Sequence, residues 1–142
     1  MANPGPASTT TIHPANLASN QAIRLLASGT VNIGQTGDSP NVLQINNTGS
    51  YAVTNVVITG ANKDVSSGAL ALWTGPNGTG TEIVTNATLT SNTSSAYVTN
   101  ATVVTATKNV NLSAQNIYAK VGTAVAGGTV NVYVYGYDFS LF

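Results

Sequence analysis

From Gln21 onward, short runs rich in Val, Thr, Ile and Tyr recur roughly every 8–14 residues, separated by Gly, Asn and Pro. Within most runs apolar and polar residues alternate, the period that puts successive side chains on opposite faces of a strand. "QAIRLLASGTVNIG" is the ambiguous run, since Ile23, Leu25 and Leu26 could open a helical turn before "GTVNIG" reads as strand. "NVLQINN" follows the turn signal "GQTGDSP", and "YAVTNVVITG" alternates until it reaches a glycine. "ALALWTGPNGTGTEIV" has the chemistry of a hairpin, with Pro-Asn-Gly between two apolar arms. "AYVTNATVVTA", "KNVNLS", "NIYAKVGT" and "TVNVYVYGYDFSLF" complete the set. Eight or nine short strands predict an all-β chain, a single antiparallel β-sandwich or jelly-roll-like domain over residues 21–142.

The last run is apolar on both faces. Val130, Val132 and Val134, followed by Gly136, share one side, while Tyr133, Tyr135, Tyr137 and Phe139 share the other. One domain has one interior, so one face is expected to pack inward and the second to meet something else.

Composition narrows what that something is. The eight charged residues, Arg24, Asp38, Lys63, Asp64, Glu82, Lys108, Lys120 and Asp138, make up 6% of 142 residues, where about 25% is ordinary. Four cations balanced by four anions cannot track a phosphate backbone, so no nucleic acid is expected as partner. Cysteine is absent, which removes disulfides and thiolate metal sites. "MANPGPASTTTIHPANLASN" has neither the basic start nor the apolar run of a secretory signal, and no apolar stretch reaches membrane-helix length. Synthesis and assembly in a cytoplasm, without a membrane partner, are the expectation. Residues 1–20 hold three of the five prolines and few large apolar groups, so they read as an extended arm anchored by Ile12 and Leu17.

Reactive constellations are scarce. His13 is the single imidazole and precedes Pro14 in the arm, where nothing holds it as a catalytic base or metal ligand. Asp38, Asp64, Glu82 and Asp138 fall in separate segments, with Asp38 and Asp64 reading as turn residues. No loop carries the clustered acids of a calcium site. "GPNGTG" lacks the Gly-Lys-Ser/Thr and the helix of a phosphate loop, and reads as a turn. "VTNAT" occurs at 84–88 and 98–102, which reflects composition rather than a solenoid repeat. Six Asn-x-Ser/Thr sequons start at Asn46, Asn77, Asn86, Asn92, Asn100 and Asn111, little above chance for so much Asn, Ser and Thr. No catalytic residue, cofactor or metal is expected. Trp73 with the tyrosines is the alternative site, a stacking platform for sugar.

A row of exposed aromatics usually marks an interface, and interface cores are depleted in Lys, Glu and Asp. Tyr133, Tyr135, Tyr137 and Phe139 are therefore the expected contact in a homo-oligomer. The hairpin "LALWTGPNGTGTEIV" and the later "NIYAKVGTAVAGGTVNVYVYGYDF" resemble small virion proteins of tailed bacteriophages, among them head decoration (cement) proteins. Asn131 stands where an acid is common in that pattern, and Phe139–Phe142 run past its usual end. The resemblance implies a β-rich trimer on the capsid surface, clamping major capsid protein subunits from outside and assembled in the host cytoplasm. The rival readings are a carbohydrate-binding or adhesin-like module of a tail fibre or cell surface, and a structural protein of the tail or baseplate.

Overall fold

The computed structural model describes residues 23–140. The proposed arm, with Ile12, His13 and Leu17, lies outside the described residues. Eight strands follow in order: β1 (Arg24–Asn32), β2 (Gly37–Gln44), β3 (Tyr51–Thr59), β4 (Ala69–Gly75), β5 (Thr79–Thr88), β6 (Thr99–Ala101), β7 (Asn116–Thr123) and β8 (Thr129–Asp138). One helical turn, α1 (Thr105–Lys108), sits between β6 and β7.

The strands form two four-stranded sheets ordered β1-β8-β3-β6 and β2-β7-β4-β5, with every pairing antiparallel. Only the β4–β5 hairpin stays within one sheet, and each other connection crosses to the opposite sheet. That winding is the double Greek key of a jelly roll, a β-sandwich of eight strands.

The valine side of β8 is the interior. Val130, Val132 and Val134 are fully buried. In register, Val132 lies between Gly29 of β1 and Ile58 of β3, and Val134 between Ala27 and Val56. The facing sheet supplies Leu43, Leu70, Leu72, Ile117 and Val121 to the same cluster. β3 keeps its apolar residues inward by a bulge between Val53 and Asn55, which shifts the alternation so that Tyr51, Val53, Val56 and Ile58 all point in. Tyr51 satisfies its hydroxyl by donating to the Ala114 carbonyl at 2.6 Å, and burial pushes its pKa up to about 12.

Gly136 occupies the next inward position after the valines, and a Cβ there would strike the Ala52 carbonyl oxygen and Leu26. Only glycine lets β3 and β8 approach at that bulge.

Three segments differ from the expectation. "GDSP" belongs to β2 rather than to a turn, with a bulge between Asp38 and Val42. β2 is an edge strand, so Pro40 can lack an N–H on the outer side. "KNVNLS" forms no strand: α1 ends at Lys108, and only Leu112 makes an isolated bridge, to Tyr51. Of "AYVTNATVVTA", only Thr99–Ala101 is strand, with Val103 bridged singly to Val84. The ambiguous first run is strand throughout β1.

Candidate functional site

β8 is flanked by β1 and β3, so its outward residues run down the middle of a sheet. Tyr133 lies between Ser28 and Val57, Tyr135 between Leu25 and Asn55, and Tyr137 pairs with Ala52. Tyr133 and Tyr135 are half-buried by these neighbours, whereas Tyr137 and Phe139 remain 37% and 38% exposed. The Tyr137 and Phe139 rings stack with centroids 6.4 Å apart and 24° between planes. The sequence-predicted aromatic residues are thus brought together on one outer surface.

A groove of about 550 Å³ opens beside the two rings. Tyr137 and Phe139 form one wall, the last residue of α1 and the three after it, Lys108 to Asn111, form the other, and Ala52 lies between. Val110 is 42% exposed there. Thr107 holds that wall in place by donating its buried hydroxyl to the Glu82 carbonyl at 2.5 Å. Lys108 is the one charged side chain lining the groove.

Behind this surface, Arg24 and Asp138 make the single salt bridge among the described residues, at 2.8 Å. Arg24 also donates to the Asn46 carbonyl at 2.6 Å. Burial pushes the Asp138 carboxyl up, but bonds donated by Ser140, the Thr48 hydroxyl and the Arg24 charge outweigh it and hold the pKa at about 2. A carboxylate fixed in its ionised form cannot serve as a proton donor near neutrality.

The other acids are dispersed. Asp64 accepts from the Ser66 N–H in a loop, which lowers its pKa, and Asp38 accepts from the Asn77 N–H at 2.7 Å. Asp38 and Glu82 lie on β2 and β5, the two edges of the second sheet. No group of three or more His, Cys, Asp or Glu comes together among the described residues. None of their helices is long and apolar enough to cross a membrane.

Trp73 is on the opposite sheet from the tyrosine row. It pairs with Tyr118 of β7 and Glu82 of β5, and Val42 completes the row across β2. The Pro76–Gly78 turn bends toward the same face, with Asn77 in the left-handed region and Gly78 against Lys120 and Trp73. Trp73 is half-buried beside its own turn.

Two features escaped sequence reasoning. Asn92 is fully buried and is the hub of the loop before β6: its amide donates to the Ile58 and Tyr97 carbonyls at 3.2 Å and its oxygen accepts from the Thr99 hydroxyl. Nothing local distinguishes it from the other sequon asparagines, which are exposed. The two "VTNAT" segments meet at a shallow groove lined by Thr85, Ala87, Thr99 and Thr102 among others, brought together by the Val84–Val103 bridge rather than by a solenoid repeat.

Comparison with protein-family models, curated proteins and solved structures finds no match to the chain.

Proposed function

We propose that this chain is a non-enzymatic structural protein that assembles with copies of itself, most simply as a trimer, and decorates the outside of a bacteriophage head. In this reading it binds the major capsid protein and reinforces the joints between capsid subunits. The observation that carries the proposal is the outer face of β8, where four aromatic residues share one surface and Lys108 is the one charged side chain lining the groove beside them. Tyrosine suits such a contact because it combines area with a hydrogen-bonding tip at low entropic cost. Low charge supports it too, since each Lys, Asp or Glu in a contact must lose its water. The work done is mechanical. Each apolar Å² covered across a joint contributes about 25 cal/mol, and lost translational and rotational freedom offsets much of the total.

The test is a sedimentation mass on the purified chain, followed by co-sedimentation with expanded capsids. A stable oligomer and saturable capsid binding are expected. A monomer that ignores capsids would remove the reading.

The row Val42–Tyr118–Trp73–Glu82 favours a second reading, a carbohydrate-binding face on the other sheet. Saccharide binding by the isolated chain that Trp73→Ala abolishes would select it over decoration.

A further inference from the structure

Of the chain's 17 asparagines, Asn77 is the one followed by glycine. It is exposed in the turn between β4 and β5, and its carboxamide makes no hydrogen bond among the described residues. Asparagine is a thermolabile residue, because the next backbone nitrogen can attack its side-chain carbonyl. Glycine favours that attack, having no Cβ to obstruct the approach.

The folded turn opposes it. Ring closure needs the Asn77 Cβ and the Gly78 nitrogen on the same side of the Cα–C bond, and at a ψ of 33° they are not. The backbone of Pro76–Gly78 must swing first, and two contacts resist. Asp38 of β2 accepts the Asn77 N–H at 2.7 Å, a bond strengthened by the carboxylate charge. Thr79 donates both its N–H and, at 2.7 Å, its hydroxyl to the Pro76 carbonyl. Gly78 rests against Lys120 and against Trp73, the chain's single tryptophan.

We infer that Asn77–Gly78 is a self-modification site, where Asn77 converts to aspartate and isoaspartate at a rate that Asp38 sets by clamping the turn. The Gly78 amide gives its proton to hydroxide, and its nitrogen attacks Asn77 Cγ. The N–Cγ bond forms, the Cγ–Nδ2 bond breaks, and ammonia leaves with a proton from water. Water then opens the five-membered imide at one or other carbonyl, with no change of oxidation state. Either product puts a carboxylate beside Asp38, which repels it, and near Lys120, which attracts it. Isoaspartate also lengthens the backbone of the turn by one methylene. Both changes lift the turn from Asp38 and alter the cover over Trp73. The outer face of the second sheet thus records the age of the chain. This rests on neither the capsid nor the saccharide reading.

The full-length protein is incubated in mildly alkaline buffer, sampled over time and digested, and the peptide carrying Asn77 is followed by mass spectrometry. A mass gain there, divided chromatographically between two isomers, is expected to outrun that at every other asparagine. Asp38→Ala removes a hydrogen bond to a charged group and should speed the conversion about tenfold. Thr79→Val removes the hydroxyl bond without touching β2 and should speed it as well. Trp73 emission should shift in the same direction in aged wild type and in freshly made Asn77→Asp. Conversion at Asn77 no faster than at other asparagines would overturn the site. Wild-type rates in both Asp38→Ala and Thr79→Val, with the β circular dichroism retained, would overturn the clamp. Should Asp38→Ala alone lose its fold, Thr79→Val decides. Emission unmoved in both aged wild type and Asn77→Asp would overturn the coupling to Trp73.

Discussion

Arg24 at the start of β1 and Asp138 at the end of β8 are joined by a 2.8 Å ion pair, with Asp138 only 4% exposed. The two strands are already hydrogen-bonded neighbours, and the pair closes that ladder at the end where β1 begins and β8 finishes.

Asp138 therefore links stability to pH. Its folded pKa, about 2, lies below its ordinary value of 3.8, so the stabilisation is complete above about pH 4 and is lost as pH falls through 2. The amount is about 2 kcal/mol. Asp138→Asn should lower stability by that order at pH 7 and flatten the dependence between pH 4 and 2, as measured by urea unfolding across pH.

The two faces of β8 should respond differently to substitution. Val132→Asp buries an unpaired carboxylate among valines and isoleucine, which costs several kcal/mol, and the product is expected to be insoluble. Tyr135→Ser should leave the β circular dichroism intact and shift the sedimentation mass toward monomer. Loss of fold in Tyr135→Ser would mean that the tyrosine face serves the domain's own packing.

Asn92→Ala removes the amide that pairs two carbonyls and a hydroxyl in a fully buried position. Leaving them unsatisfied should cost about 2–4 kcal/mol. Melting should fall by roughly 5–15 °C in calorimetry. Expressed in a glycosylating host, the chain should carry no glycan at Asn92 whatever happens at the five exposed sequons.

Gly136→Ala should be among the most damaging single-methyl additions in the chain. The clash is with backbone, the Ala52 carbonyl, and β3 cannot retreat without breaking its ladder with β8. A loss of about 3 kcal/mol or more is expected, read from the denaturation midpoint.

The strands were legible because burial in a sandwich forces period two, and β7 and β8 fall where "NIYAKVGT" and "TVNVYVYGYD" alternate. The sorting of β8 into a valine interior and a tyrosine exterior was legible for the same reason. "NVNL" misled because alternation alone does not provide a neighbouring strand: Leu112 reaches only Tyr51, and the rest becomes the groove wall. The register that sets Arg24 opposite Gly136, the Arg24–Asp138 pair and the Asn92 hub depend on contacts between residues far apart in sequence, and no local pattern encodes them.

The position of β8 also governs when the fold can exist. It is the last of the eight described strands to leave the ribosome, yet it sits between β1 and β3 and provides both with their ladders. Until it arrives, β1 has no partner in its own sheet and β3 has only the three residues of β6. The first sheet therefore closes only after β8 has been made, and closing such long-range pairs makes that step slow. A chain cut short before Thr129 has an incomplete sheet whose strand edges and apolar faces invite chaperones and proteases. A single strand thus decides whether the β1-β8-β3-β6 sheet forms at all, and loss of β8 removes both central ladders together.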